Sequence, residues 1–255
     1  MLLLLAFLYL LPVDCSSAYI PRLEDRIVGG SVIDIKDMPY LVSLQGQYHF
    51  CGGSLIAKHY VLTAAHCTKG HQDFKPLFKV RIGSSNSHEG GLLVNPLRIH
   101  QHPQFDDFTL DYDYSLLELE DYDLKALSYE MIYAKMPRSN EVVDDTFLTV
   151  SGWGSTLNPD DNSYLLRAVD VQTVNENVCK EAYRNRITER MLCAGSDEGG
   201  KDSCHGDSGG PLVYNGSLVG VVSWGAGCAI PELPGVYARV YQALPWIAEI
   251  TGLRL

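Results

Sequence analysis

The stretch from Gly206 to Trp224 reads GDSGGPLVYNGSLVGVVSW and combines a serine held between glycines with two apolar runs. Asn215-Gly216 separates Val213-Tyr214 from Leu218-Val219, which is a strong signal for a β-hairpin because both central residues of a type I′ turn need positive φ. Similar apolar or alternating runs recur about every ten residues and are divided by Gly, Pro, Asn and Asp. The pattern is typical of an all-β protein of the sandwich or barrel type.

Short strands dominate the predicted secondary structure. Besides Pro211–Tyr214 and Leu218–Trp224 in the hairpin, the predicted strands are Tyr40–Gln45, Phe50–Ala57, Tyr60–Ala64, Phe78–Ile82, Leu92–Ile99, Ser115–Leu119, Phe147–Trp153, Leu165–Val174 and Gly235–Val240. Only two helices are predicted, roughly Glu176–Tyr183 and Pro245–Ile250, the second with Pro near its first turn and Gly252 after it.

The composition is that of a folded, acidic protein. The chain has 255 residues, 46% of them hydrophobic and 20% charged, which is enough sequence to bury a sizeable core. Lys and Arg number 20 against 31 Asp and Glu, and the formal net charge of −11 argues against nucleic acid or an anionic membrane as a partner. The 23 glycines and 12 prolines are spread along the chain, which excludes collagen-like and low-complexity classes.

The N-terminus is predicted to be a targeting segment. Every residue from Leu2 to Leu11 is apolar or Tyr, and this run is shorter than the roughly 20 residues that span a bilayer. Ser16 and Ala18 supply the small residues of a cleavage site, although no Lys or Arg precedes the apolar run. We therefore expect residues 1–18 to be a signal peptide and the mature protein to be soluble, secreted and extracellular.

The cysteine count agrees with secretion. One of the seven cysteines, Cys15, lies in the predicted signal peptide, which leaves an even set suited to disulfides in an oxidising compartment: Cys51, Cys67, Cys179, Cys193, Cys204 and Cys228. Six cysteines allow 15 pairings, and their spacing does not choose among them. A zinc site is disfavoured because no pair has C-x-x-C spacing.

The loop Gly206–Gly210 is a candidate catalytic loop. Its glycines permit tight backbone angles and close approach of a substrate to Ser208, and its N–H groups can point at a developing oxyanion. A serine hydroxyl is a weak nucleophile that needs a general base and a group to orient that base.

Other segments supply candidates for those two groups. His66 follows the apolar run ending in Ala64-Ala65 and precedes Cys67, and Asp113 precedes the strand Ser115–Leu119. Asp111 is the alternative acid, whereas Asp106 and Asp107 are interpreted as part of a solvated loop. His100 and His102 could share one side of a strand as metal ligands, but a solvated strand face is the favoured interpretation.

In their order along the chain these segments resemble the chymotrypsin-like serine proteases, and within them the trypsins. The motifs are Ile27-Val28-Gly29-Gly30, Ala64-Ala65-His66-Cys67, Asp113 before Leu116-Leu117-Glu118-Leu119, Gly206–Pro211 and Ser223-Trp224-Gly225. The resemblance covers residues 27–255 and implies two antiparallel six-stranded β-barrels, roughly 27–132 and 133–255, with a short C-terminal helix and a cleft between them. It also implies the pairings Cys51–Cys67, Cys179–Cys193 and Cys204–Cys228.

The resemblance assigns roles residue by residue. Ser208 would attack the scissile carbonyl, His66 would carry the proton, and Asp113 would orient His66. The N–H groups of Gly206 and Ser208 would form the oxyanion hole. The primary pocket would be formed by Asp202, Ser203, Ser223, Trp224, Gly225 and Gly235, with Asp202 at its base selecting Arg or Lys.

Activation is also implied by the resemblance. Cleavage between Arg26 and Ile27 would remove residues 19–26 as a propeptide, and the new Ile27 amine would pair with Asp207. Because the bond follows Arg, the mature enzyme could cut its own precursor.

These features predict a monomeric serine endopeptidase without cofactor or metal, acting on proteins and peptides and bound by protein inhibitors. The loop Gly83–Gly91 lacks the acid that starts the calcium loop of vertebrate pancreatic relatives, and His205 stands where Gln is common. Asn215-Gly216-Ser217 is a glycosylation sequon. A digestive enzyme similar to insect trypsins is favoured; a regulatory cascade protease and a non-catalytic homologue are the alternatives.

Overall fold

The computed structural model describes residues 27–255 except 72–76, 141, 143, 159–160 and 163. The predicted signal peptide and propeptide, including Arg26, lie outside the described residues. Helices α1 to α3 are Ala65–Thr68, Glu176–Ala182 and Val240–Thr251. Strands β1 to β14 are Ser31–Val32, Leu41–Gln45, His49–Ala57, Tyr60–Thr63, Lys79–Ile82, Leu92–Val94, Pro96–Gln101, Ser115–Leu119, Phe147–Gly152, Arg167–Thr173, Met191–Gly195, Pro211–Tyr214, Ser217–Trp224 and Gly235–Arg239.

The second half of the chain forms a closed six-stranded antiparallel barrel. Its strand order is β9–β10–β11–β14–β13–β12, and pairing of β12 with β9 closes it. The predicted hairpin joins β12 and β13, with Asn215 and Gly216 at φ 47° and 74° in the turn. Short β1 adds to the edge of β10. Inward side chains at alternate positions, such as Leu148, Val150, Val169 and Val171, form one buried cluster.

The first half forms a half-barrel sheet with the order β6–β5–β2–β3–β4–β8–β7. The sheet has seven strands because the predicted strand Leu92–Ile99 divides between Val94 and Pro96. Proline has no N–H to donate to a ladder, and the chain bends there. The two edges of the sheet are therefore consecutive segments of one bent strand, separated only by Asn95.

The helices differ from the sequence prediction mainly in α3. This helix begins at Val240 instead of near Pro245, so Pro245 lies inside it. Its buried residues Val240, Ala243, Trp246 and Ile247 follow helical spacing, and their burial outweighs the one hydrogen bond that Pro245 cannot make. Gly252 ends the helix as predicted, at φ 70°. Strand β11 was not predicted, because its five residues are all buried and show no alternation.

Disulfides tie the elements together. The structure contains the three pairings that the resemblance implied: Cys51–Cys67 joins β3 to α1, Cys179–Cys193 joins α2 to β11, and Cys204–Cys228 joins two loops. None of the helices in the described part of the chain has the length and apolar character needed to cross a bilayer.

Candidate active site

His66 and Asp113 are brought together at one end of the paired strands β4 and β8 of the first sheet. Helix α1 carries His66 directly after β4, and Asp113 precedes β8, which pairs with β4. The Asp113 carboxylate accepts hydrogen bonds from the His66 ring Nδ1 at 2.7 Å and from the His66 backbone N–H at 2.9 Å. The Ser223 hydroxyl donates to the same carboxylate at 2.5 Å. Asp113 is therefore a buried acid with three hydrogen bonds, and it fixes both the position and the tautomer of His66.

Two opposing effects act on the His66 imidazole. Burial disfavours its charged form, but the hydrogen bond that His66 donates to Asp113 and the negative charges of Asp113 and Asp107 outweigh that effect and raise the pKa of His66 above its ordinary value. The site is therefore built to stabilise an imidazolium, which is the form that a general base takes after accepting a proton.

The loop carrying Ser208 is fastened to the first sheet. The Gly52 N–H in β3 donates to the Ser208 carbonyl at 2.7 Å. Gly209 has φ 80°, and a Cβ there would overlap the Thr63 hydroxyl. Among the described residues the Ser208 hydroxyl makes no hydrogen bond, not even to His66. Hydrogen bonds between a catalytic nucleophile and its base are often long when no substrate is bound. The structure therefore forms the expected His66–Asp113 hydrogen bond and places the loop of Ser208 beside the His66 segment, without a hydrogen bond between Ser208 and His66.

Two N–H groups of this loop are free. The N–H groups of Asp207, Gly209 and Gly210 donate to backbone carbonyls, whereas those of Gly206 and Ser208 have no partner among the described residues. Gly206 has φ 99°, which a residue with a side chain rarely adopts. The two free donors are the pair predicted as an oxyanion hole.

His49 is a site residue that the sequence did not indicate. Its Nε2 lies 2.9 Å from the Gly206 carbonyl and its Nδ1 lies 2.7 Å from the Ser43 hydroxyl. Burial, only partly offset by the bond to Gly206, lowers the pKa of His49 to about 4, so the ring is neutral at physiological pH. Its partners are distant in sequence, and no local signal could have identified it.

All six predicted pocket residues line one cavity of about 210 Å³ together with Ser208. At its base Asp202 is 3% exposed. Its Oδ2 accepts from the Ala229 N–H at 2.9 Å, while its Oδ1 has no hydrogen-bond partner. Burial raises the pKa of Asp202 to about 6, although hydrogen bonds from Ala229 and Ser203 oppose the shift. A Cβ at Gly235 would lie 2.7 Å from Oδ1, so a side chain there would cover this oxygen.

Asp207 is enclosed more completely. Its two oxygens accept from the N–H groups of Gly154 at 2.8 Å and Cys204 at 2.9 Å. Burial raises the pKa of Asp207 to about 7, and the nearby negative charge of Asp202 contributes to the same upward shift. No cation among the described residues contacts it.

Ile27 lies close to this loop. Its side chain is fully buried in the core of the closed barrel, and Val28 forms a β-bridge with Asp202. Ile27 has φ 35°, a strained angle for a β-branched residue within a chain. An N-terminal residue has no preceding carbonyl and is free of that restriction.

The remaining candidates have other partners. Asp111 does not contact His66; instead it accepts from Arg190 at 2.6 Å and from the Thr188 hydroxyl at 2.8 Å. His102 is buried and stacked on Tyr112, and His100 lies beside Glu118, so these histidines do not form a pair of metal ligands. His205 is exposed at the pocket mouth. In the described residues the two ligand-like clusters each consist of a histidine and two disulfide-bonded cysteines, which have no thiolate to offer.

Comparison with known proteins agrees with this geometry. The trypsin family model matches residues 27–247. Trypsin 5G1 of Aedes aegypti is 47% identical over 237 residues, covering 91% of this chain and 87% of that protein. A trypsin of Phaedon cochleariae is 45% identical over 239 residues (91% and 90%), and anionic trypsin of Canis lupus familiaris is 41% identical over 228 residues (88% and 89%). The chain therefore belongs to the trypsin family and is a trypsin-like serine endopeptidase.

Proposed function

We propose that this protein is a secreted digestive protease, made as a zymogen, that cuts peptide bonds after Arg or Lys. The observation that carries the specificity is the buried Asp202 at the base of the pocket, whose Oδ1 has no partner in the protein. A guanidinium or ammonium entering the pocket would supply one. An apolar side chain would leave the charge unpaired, which costs on the order of 10⁴ in relative rate at sites built for a polar partner.

The proposed chemistry uses three side chains. His66 Nε2 takes the proton of Ser208 Oγ as this oxygen attacks the scissile carbonyl, and the same proton then goes to the leaving amine. Water repeats the sequence on the acyl-enzyme and releases the carboxylic acid. The hydrogen bond of 2.7 Å from Nδ1 to Asp113 supports this assignment, because it leaves Nε2 as the basic nitrogen.

The oxyanion is assigned to the free N–H groups of Gly206 and Ser208. Removing one such donor typically costs about 10²–10³ in rate. His49 supports the arrangement by holding the Gly206 carbonyl, since that bond orients the loop that carries both donors.

The zymogen proposal assigns the Ile27 amine, formed by cleavage after Arg26, to Asp207. A fully buried carboxylate without a cation is unfavourable, and both the buried side chain and the strained φ of Ile27 fit a free N-terminus at this point. Pairing would lower the pKa of Asp207 and order the loop of Ser208.

Substitution of the two neighbouring aspartates tests the triad. Asp113→Asn should lower kcat about 10⁴-fold, an effect of the size established for the equivalent change in this family. Asp111→Asn is the matched control, because Asp111 binds Arg190 and not His66; we expect less than a tenfold change. Equal losses in both variants would contradict the assignment of Asp113.

Secretion and the digestive role are tested separately. The precursor expressed in eukaryotic cells should enter the medium with residue 19 as its N-terminus. The mature enzyme should cut most Arg and Lys bonds of a denatured protein mixture; cleavage confined to a few sequences would indicate a regulatory protease instead.

A further inference from the structure

We infer that Arg186, held over the Trp224 ring beside the pocket, forms a subsite that favours substrates with an acidic side chain shortly before the Arg or Lys at which they are cut. The inference rests on the proposed function and adds a substrate class to it: acidic peptides ending in Arg or Lys. No residue of the triad or of the pocket base is involved.

The position of Arg186 follows from its contacts. Trp224 ends β13 and lines the pocket with Gly225 and Ser208. The Arg186 guanidinium carbon lies 5.1 Å from the Trp224 ring centroid, a cation–π distance. Tyr183 packs its ring edge on Trp224 with centroids 4.8 Å apart, and its hydroxyl donates to the Pro234 carbonyl at 2.6 Å. The segment carrying Arg186 is thus anchored to the pocket wall.

The charge of Arg186 is not neutralised within the described residues. The segment Tyr183–Arg190 contains three arginines. Arg190 is paired with Asp111 at 2.6 Å and Glu189 at 2.7 Å. Arg184 and Arg186 are exposed and have no acidic partner in the part of the chain that the structure describes. In a protein with a formal net charge of −11, Arg186 is therefore a cation at the pocket rim that is available to a ligand.

The direction of the substrate decides which of its residues meets Arg186. His66 delivers a proton to the leaving amine, and the Cys51–Cys67 disulfide fastens the His66 segment to the first sheet. The part of the substrate that follows the cut bond therefore lies on the first-sheet side. The part that precedes it then lies on the other side of Ser208, where Ser223, Trp224 and Gly225 line the pocket. Because the Arg186 guanidinium lies over the Trp224 ring and Trp224 lines the same pocket as Ser208, we assign the contact with Arg186 to a residue shortly before the cut bond.

The precursor itself has acidic residues shortly before an Arg. Its predicted activation site reads Leu23-Glu24-Asp25-Arg26, with two acidic residues immediately before the Arg. A second copy of this chain is thus a substrate of the class that Arg186 favours, and the subsite would speed activation of the zymogen by the mature enzyme.

Two reporter peptides test the inference, Leu-Glu-Asp-Arg and its amide counterpart Leu-Gln-Asn-Arg. The ratio of their kcat/KM values should fall about threefold in Arg186→Gln, the size of an exposed ion pair. Arg186→Lys should keep part of the preference because it keeps the charge. Arg184→Gln, which removes an exposed arginine of the same segment that does not contact Trp224, should leave the ratio unchanged. At 1 M salt, where the Debye length is about 3 Å, the preference should disappear in the unmodified enzyme.

The outcomes separate the two proposals. An unchanged ratio in Arg186→Gln, or an equal fall in Arg184→Gln, would overturn the subsite while leaving the proposed function intact. Failure of the unmodified mature enzyme to cut either peptide would overturn the proposed function and the subsite with it. As a second readout, mature enzyme should cleave a Ser208→Ala precursor faster than the same precursor with Glu24→Gln and Asp25→Asn, and equal rates would contradict the inference.

Discussion

Asp202 and Asp207 lie in one loop of the closed barrel and are both buried, but their carboxylates have different surroundings. Burial raises the pKa of both carboxyls, to about 6 and about 7 respectively. Asp202 leaves one oxygen unbonded at the base of an open pocket. Asp207 has both oxygens bonded to backbone N–H groups and is covered by Gly152 and Gly154, where a Cβ would overlap its carboxylate.

The difference suggests how the same chemical group can serve two purposes. A buried carboxylate requires a cation, and the surroundings decide where that cation can come from. Asp202 lines a pocket, and under the proposed function its cation is the Arg or Lys side chain of a substrate. Asp207 has both oxygens bonded to backbone N–H groups inside the protein, and under the zymogen proposal its cation is the Ile27 amine that cleavage of the chain creates.

The largest effect is expected for substitution of Asp202, which tests its proposed role in substrate selection. Asp202→Ser should lower kcat/KM for an Arg substrate about 10⁴-fold, because the substrate cation loses its partner, while hydrolysis of a Phe substrate changes little. Asp197→Ser, at an exposed acid of the preceding loop, is the control and should keep the Arg preference. A retained preference in Asp202→Ser would mean that another group selects the substrate.

The next largest effect is expected for substitution of Asp207, which tests its proposed pairing with the Ile27 amine. Asp207→Asn should reduce activity on Arg and Phe substrates alike by about 10²–10³, since losing one partner of a buried pair typically costs 3–5 kcal/mol. In the unmodified mature enzyme, activity should also fall at high pH as the Ile27 amine loses its proton. A profile that stays flat to about pH 11, well above the ordinary α-amino pKa of about 8, would contradict the ion pair.

The smallest expected effect is on stability, and its sign should differ between the two aspartates. In the folded protein the pKa of Asp202 is about 6, above the ordinary value near 3.9. The folded state therefore binds this proton more tightly than the unfolded state does. The buried charge destabilises the folded state fully above pH 6, and this destabilisation is lost as the pH falls to 4. In a Ser208→Ala background, Asp202→Asn should therefore raise the free energy of unfolding by about 3 kcal/mol at pH 8 and by about 0.5 kcal/mol or less at pH 4.

The same substitution at Asp207 should act in the opposite direction. In the processed enzyme Asp207→Asn removes a paired charge and should destabilise at pH 8. Urea denaturation of both variants at the two pH values measures this contrast, and stabilisation at pH 8 by both substitutions would show that Asp207 is not paired with a cation.

Local sequence patterns predicted much of this structure. The turn at Asn215-Gly216 and the alternating strands follow from backbone preferences and burial on one face. The spacing of Asp113 from the following strand favoured it over Asp111, and in the structure Asp113, which precedes β8, binds His66 while Asp111 binds Arg190. The division at Pro96 and the start of α3 at Val240 were missed, because tertiary burial and the bend of the sheet decide them. The Asp111–Arg190 pair and the His49–Gly206 bond join distant segments, which no local pattern can indicate.

Hydrolysis of paired substrates with Arg or Phe before the reporter, measured on the precursor and again after cleavage between Arg26 and Ile27, is the most direct test. We expect little activity in the precursor and strong cleavage of the Arg substrate alone after processing, which requires Ser208, Asp202 and the Ile27–Asp207 pair together. Preference for Phe would contradict the role of Asp202. Equal Arg cleavage before and after processing would contradict the activation switch, and inactivity on both substrates with Ile27 at the N-terminus would contradict catalysis.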